Sequence, residues 1–178
     1  RVLDLFCGAG GMSLGFHDAG CTILGGIECE KWPAETHKQN FPESVIELGA
    51  VDIRDIEPSS LGLKRGDVDI LIGGPPCQGF SIVGRSKIRH LGQERERDVK
   101  NKLYQQYIKF LTFFKPKYFV IENVDGMKTF KKQKFLPDVI QELEKVGYVV
   151  DCKILTATDY GVPQVRHRLF IIGRRKDL

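Results

Sequence analysis

The sequence makes no provision for a disulfide scaffold, a metal centre or a membrane span. Five cysteines (Cys7, Cys21, Cys29, Cys77 and Cys152) are spread over 178 residues with no C-x-x-C pair. Their number is odd, and a chain of this length can bury a core without covalent staples, so they read as reduced thiols. Four histidines (His17, His37, His90 and His167) show no ligand spacing with one another or with the cysteines. No metal is therefore expected, and the histidines read as surface or helix residues. No apolar run approaches the ~20 residues that cross a bilayer, and no secretory leader is expected before the first apolar stretch. Repeats and low-complexity tracts are absent. What remains, with 42% hydrophobic and 28% charged residues, is the composition of one globular domain or one lobe of a larger protein. Arg1 leads straight into an apolar run and Leu178 closely follows one, so the chain is expected to belong to a longer protein or to be one subunit of a split one.

The net charge is only +4, but it is unevenly placed. Arg85, Lys87, Arg89, Arg95, Arg97, Lys100 and Lys102 stand against Glu94, Glu96 and Asp98, and seven minus three already accounts for the whole excess. Two further basic runs are Lys128, Lys131, Lys132 and Lys134, and Arg166, Arg168, Arg174, Arg175 and Lys176. Each alone reads as a solvated face. Together, around one site, they favour a polyphosphate partner.

Short apolar runs alternate with amphipathic stretches. Strands are predicted over 2–6, 22–27, 45–48, 69–73, 118–121, 149–155 and 168–172, and helices over 12–19, 31–40, 103–114 and 135–146. This alternation predicts an α/β fold: a doubly wound, mostly parallel sheet with helices on both faces. Residues 84–102 form one long polar insertion, expected to be a lid.

In an open sheet of this kind, ligands bind at the carboxyl ends of the strands. Here those ends carry Phe6-Cys7-Gly8, Glu28, Asp52, Pro76-Cys77 and Glu122-Asn123. The turn Gly8-Ala9-Gly10-Gly11 lets backbone approach a ligand closely, yet Ser13 breaks the full dinucleotide fingerprint. Glu28 ends an apolar strand, where a carboxylate can take ribose hydroxyls, and Asp52 can accept from an adenine amine. Cys77 follows two prolines. A free thiol titrates near ~8.5, so a nucleophilic role needs local donors or positive charge. Glu122 offers an acid or hydrogen-bond donor if burial holds its proton. Arg166 and Arg168, two apart on an extended segment, point the same way and call for an anion or carboxylate partner. Plainer readings stand beside these: an inert buried thiol, a salt-bridged strand end and a surface carboxylate.

The segments Asp4-Leu-Phe-Cys-Gly-Ala-Gly-Gly11, Gly74-Pro-Pro-Cys-Gln-Gly-Phe-Ser81, Glu122-Asn-Val124 and Gln164-x-Arg166-x-Arg168 resemble, in order and spacing, the motifs of the DNA cytosine-5 methyltransferases. The resemblance covers nearly all of 1–178 and implies an S-adenosyl-L-methionine-dependent catalytic domain of the methyltransferase type. It implies a cofactor site with Phe6, Ala9, Gly10 and Gly11 at the methionine part, Glu28 at the ribose, Cys29, Asp52 and Ile53 at the adenine, and Pro76 and Leu103 lining the pocket. Cys77 is implied as nucleophile on C6 of a flipped-out cytosine. Glu122 is implied at N3, and Arg168 at O2 with support from Arg166. Gln78, Ser81, Gly84 and Arg85 fall in what resembles a mobile loop that touches nucleic acid. Asp98-x-Lys100 departs from the family's Asp-x-Arg. The implied partner is double-stranded DNA in a bacterial cytoplasm, associated with the nucleoid. The family's target-recognition domain and final returning segment have no counterpart within 1–178, so they are expected in cis or on a second subunit. Two alternatives share the scaffold: a tRNA cytosine-5 methyltransferase, and a non-enzymatic DNA-binding regulatory homologue, which typically loses the nucleophile or the acid.

Overall fold

The computed structural model describes residues 1–46, 49–76, 93–125 and 135–178, with backbone only for 93–102 and 135. Cys77, Gln78, Ser81, Gly84, Arg85 and the basic run 128–134 lie outside the described residues.

Six strands form one sheet: β1 (Val2–Leu5), β2 (Ile23–Ile27), β3 (Ile70–Gly73), β4 (Tyr118–Val124), β5 (Tyr148–Thr156) and β6 (His167–Arg175), in the order β2-β1-β3-β4-β6-β5. The pairs β1–β2, β1–β3 and β3–β4 are parallel, and β6 is antiparallel to both its neighbours. The chain leaves β1 for β2 on one side and returns to β3 on the other. That reversal opens a crevice at the carboxyl ends of β1 and β3. Of the strand expected over 45–48, residues 45–46 are described and carry a parallel bridge between Ile46 and Gly25; 47–48 lie outside the described residues. Ile46 N donates to Leu24 O and Val51 N to Glu28 O, so this segment tracks the edge of β2 and delivers Asp52 to the crevice.

Among the described residues four helices, α1 (Gly11–Asp18), α2 (Lys31–Asn40), α3 (Gln93–Phe114) and α4 (Phe135–Lys145), cover the sheet. Alternation along each strand sends Leu3, Leu5, Leu71, Phe119, Ile121, Leu169 and Ile171 to one face, where Tyr107, Phe110, Leu111 and Phe114 of α3 and Val139 and Leu143 of α4 bury them. On the other face Val2, Ile23 and Ile72 pack with Phe41, and Met12 and Phe16 of α1 close over them. Helices thus lie on both faces, as expected. The second face is not covered along its length: Val149 is 51%, Ile172 50% and Tyr118 43% exposed where β4, β6 and β5 continue it.

Helix α3 begins ten residues before the predicted 103, inside the stretch read as a polar lid. Gln, Glu, Arg and Lys dominate 93–102, and these are good helix formers. High polarity there signals a solvated helix as readily as a loop.

Candidate active site at the strand ends

The turn after β1 is held in shape by backbone conformation and by α2. Phe6 takes φ 61°, which is unusual for a bulky residue, and Gly8 and Gly10 take φ 55° and 95°. Strain of this kind persists only where its surroundings enforce it. Here Cys7 N donates to Ile27 O, Gly10 N to Cys7 O, and Asn40 Nδ2 to Ala9 O at 3.0 Å. A Cβ on Gly10 would meet the Phe41 ring at 2.6 Å and His37 at 3.0 Å, whereas the same positions on Gly8 and Gly11 are open. Glu28 ties this turn to the end of β2. Its Oε2 accepts from Gly8 N at 2.9 Å, and its Oε1 accepts from Cys29 N and Glu30 N at 2.8 and 2.9 Å. The Cys29 thiol also leans on Oε1, and burial together with that contact raises its titration above the usual thiol range.

Beneath the turn lies a buried polar chain. Asp4, 1% exposed, points to the α1 face, where Ser13 Oγ donates to its Oδ2 at 2.7 Å and lies 3.3 Å from His37 Nε2. Asp4 Oδ1 has no hydrogen-bond partner among the described residues. Burial raises the Asp4 carboxyl to about 7, partly offset by the Ser13 bond, and burial lowers His37. His37 is a helix residue, as read, but a buried one; Ala34, His37 and Phe41 repeat at helical spacing, which is the signal that places it inward. Because folded Asp4 keeps its proton to about 7 while the unfolded carboxyl releases it near 3.8, the unfolded state binds fewer protons between these values. Its contribution to stability is full below about 4 and is lost as pH rises to 7. Asp4→Asn, neutral throughout, should match the parent at pH 4 and exceed it by roughly 2 kcal/mol or more at pH 8. Urea midpoints of both proteins at the two pH values check this, and His37, common to both, cancels in the difference. Equal midpoint differences at both pH values would refute it.

Asp52 starts the 3-10 turn Ile53–Asp55 and accepts from Arg54 N at 2.9 Å. Ile53 is buried in the main core, and Phe6 and Leu103 pack half-buried against that same core. Pro76 is half-buried where the described chain stops, one residue before Cys77.

The second corner is built by β3, β4 and β6. Since β6 is antiparallel to β4, its first residues lie beside the last residues of β4: Val124 pairs with Arg168 and Glu122 with Phe170. Glu122 and Arg168 are then diagonal neighbours on one face. Arg168 Nε reaches Glu122 Oε1 at 2.9 Å, with Arg166 Nη2 at 4.0 Å from the same oxygen. The carboxylate called for by the two arginines is Glu122. Buried Asn123, which sequence reasoning passed over, donates from Nδ2 to Pro75 O at 3.1 Å, and its Oδ1 accepts from Val124 N. It fastens the Pro-Pro segment to β4. Thr156 Oγ1 and His167 Nδ1, 3.0 Å apart, close the β5–β6 hairpin behind the arginines.

The third basic run is split by the fold. Arg174, Arg175 and Lys176 close or follow the far end of β6, where Arg175 pairs with Asp177 and Lys176 donates to Glu144 O. Only Arg166 and Arg168 face the site. Among the described residues, Cys7, Cys21, Cys29 and Cys152 are free, no cluster of metal-ligating side chains exists, and no helix is long and apolar enough to cross a membrane.

The sequence and fold have counterparts in known proteins. Residues 1–178 match the family described as C-5 cytosine-specific DNA methylase. The chain is 40% identical to a type II methyltransferase of Xanthomonas oryzae pv. oryzae and 42% identical to one of Desulfomicrobium norvegicum, each over 99% of its length. It spans 41% of the length of either relative. A crystal structure of a DNA modification methyltransferase encoded within an E. coli prophage superposes with a TM-score of 0.78 at 32% identity, covering 99% of this chain and 47% of that one.

Proposed function

The chain belongs to the C-5 cytosine-specific DNA methylase family, and on that premise we propose that it is the catalytic lobe of an enzyme that methylates C5 of cytosine in double-stranded DNA. The single observation that carries this reading is the cluster of Glu122, Arg168 and Arg166 beside the Asn123–Pro75 tie, at the point where the chain runs into Cys77.

The crevice residues fit a nucleoside cofactor. The Cβ positions of Gly8 and Gly11 are open, Glu28 Oε2 has one donor among the described residues where a carboxylate oxygen takes about two, and Phe6 and Leu103 are half-buried apolar side chains against the core that holds Ile53. S-adenosyl-L-methionine, when bound, supplies the electrophilic methyl group that C5 accepts. Phe6, Ala9, Gly10, Gly11, Glu28, Cys29, Asp52, Ile53, Pro76 and Leu103 are the residues proposed to hold it.

C5 of cytosine is a poor nucleophile until the ring is activated. The Cys77 thiolate adds to C6 and makes C5 enamine-like, and its expulsion after loss of the C5 proton ends the cycle. Glu122 hydrogen-bonds or protonates N3 and takes up the charge that develops on the ring, while Arg168 binds O2 and Arg166, near the same Glu122 oxygen, supports the site. The base reaches these groups only when flipped from the stack, at a cost of a few kcal/mol. Gln78, Ser81, Gly84 and Arg85 are proposed to line the nucleic acid.

The short span relative to the relatives and the half-exposed Val149, Ile172 and Tyr118 support a further region, in cis or on a second subunit, that covers this face and reads the target. A nucleoid-associated enzyme of the bacterial cytoplasm is the setting we propose.

Duplex DNA carrying 5-fluorocytosine tests the reading, since fluorine cannot leave C5 as a proton does. A cofactor-dependent covalent complex with DNA is expected. Trapping on RNA alone would turn the assignment to an RNA enzyme on this scaffold, and tight DNA binding with no adduct would indicate a non-enzymatic homologue.

A further inference from the structure

We infer that Asn123 is a positioning residue for the nucleophilic step: its side-chain amide takes over where prolines end the β3–β4 ladder, and so sets the segment that leads into Cys77 against the strand that carries Glu122. The inference rests on the covalent reading above; what it adds is the residue that aligns nucleophile and acid.

The ladder itself creates the need. β3 and β4 pair in parallel as far as Gly73 with Ile121. The same register carried on sets Gly74 beside Glu122 and Pro75 beside Asn123. A ladder there would draw on backbone N–H groups, and Pro75 and Pro76 have none. Only their carbonyls remain for a hydrogen bond to β4.

Asn123 supplies the donor from its side chain. It is 5% exposed, and its Nδ2 donates to the carbonyl of buried Pro75 at 3.1 Å. Its Oδ1 accepts from Val124 N at 2.8 Å, which fixes the way round the amide sits. One residue back, Glu122 Oε2 lies 3.4 Å from where a Cβ on Gly74 would stand. Neighbouring residues of β4 thus hold neighbouring residues of the incoming segment: Glu122 lies against Gly74, and Asn123 ties Pro75. Beyond the tied carbonyl the peptide bonds are planar and Pro76 φ is locked by its ring, so a single soft torsion, Pro76 ψ, stands before the Cys77 amide. The bond to Pro75 O therefore governs where the nucleophile's backbone starts relative to Glu122. A misplacement of about 1 Å between reacting groups can cost ~10²-fold in rate.

Asn123→Ala and Asn123→Leu test this in the intact protein, well below the melting temperature of each variant. Leu branches at the same carbon as Asn and fills the site without a donor, whereas Ala leaves it empty. The readouts are the rate of cofactor-dependent adduct formation on 5-fluorocytosine duplex, the affinity for unmodified duplex, and the calorimetric affinity for S-adenosylhomocysteine. Both variants should form the adduct about 10²-fold more slowly than the parent, with both affinities within about threefold of it. An adduct rate within about threefold of the parent in Asn123→Leu would reduce the side chain to filling space and overturn the inference. The same rate in Asn123→Ala would overturn it too. Loss of cofactor affinity in step with the rate would make Asn123 part of the general fold, which also overturns it. Where Asn123→Ala does not fold, Asn123→Leu decides alone. A parent that forms no adduct would remove the covalent reading, and the inference with it.

Discussion

Cys77→Ser should reduce methyl transfer by at least about 10³-fold while leaving cofactor binding within about twofold of the parent. The expectation follows from what C6 addition demands. A thiol near ~8.5 yields a few per cent thiolate at neutral pH before any local stabilisation, whereas a serine hydroxyl yields almost none. Most of the cofactor contacts proposed here come from the ends of β1 and β2, the Asp52 turn and Leu103 of α3; only Pro76 adjoins Cys77, and the substitution leaves it in place. The two measurements should therefore separate: methyl incorporation into duplex DNA is lost, calorimetric binding of S-adenosylhomocysteine is kept, and no adduct forms on 5-fluorocytosine DNA. A serine variant retaining a tenth of the parent rate would rule out covalent catalysis by this side chain. Parallel loss of cofactor binding would instead make Cys77 part of the fold of the crevice.

The sequence carried much of this site because strand ends announce themselves. An apolar run of four or five residues followed by Glu28, Pro75-Pro76 or Glu122 marks both where a buried strand stops and what it presents there. The direction of β6 was also encoded, though less openly. Ten residues, 157–166, separate β5 from β6 with only a short 3-10 turn among them. That is too little for a parallel crossover, which needs a dozen or more, so the pair had to be antiparallel. This single inversion brings Arg166 and Arg168 to Glu122, and periodicity is blind to it because a strand alternates identically in either direction. The braces behind the site left weaker marks. Asn123, Asn40 and Arg54 act through hydrogen bonds to carbonyls or a carboxylate distant in sequence or turned by local backbone. An isolated polar residue gives no periodic signal of such a partner. Where the segment expected as a strand over 45–48 is described, Ile46 bridges to Gly25, and a Cβ at Gly25 would come within 2.7 Å of Ile46, so the absence of a side chain there is what lets the segment approach the edge of β2.

Glu122→Gln should lower kcat by about 10² to 10³-fold with KM for DNA changed only a few-fold, because the group it removes meets charge that exists on the ring only after addition at C6. Glutamine keeps the size of the side chain and an oxygen that can still accept from Arg168 Nε, so the corner formed by β4 and β6 should hold. Arg168→Ala is the instructive partner. In the structure Arg168 donates to the Glu122 oxygen at 2.9 Å and also to its neighbour's carbonyl, His167 O. Removing it frees Glu122 from its nearest cation and removes the proposed O2 donor at once. The two residues act as one unit if Arg168 works by holding Glu122, so the double variant should be little worse than the poorer single one. If Arg168 works only on O2, independently of Glu122, the two losses should multiply. Single-turnover rates of the four proteins distinguish these cases, and pH profiles add a second readout: a shared proton at N3 should shift the profile in Arg168→Ala, where Glu122 remains, and should leave none to shift in Glu122→Gln. Multiplying losses with an unmoved profile in Arg168→Ala would separate the arginine from the carboxylate and leave Arg166, 4.0 Å away, as the only other cation placed to steady it among the described residues.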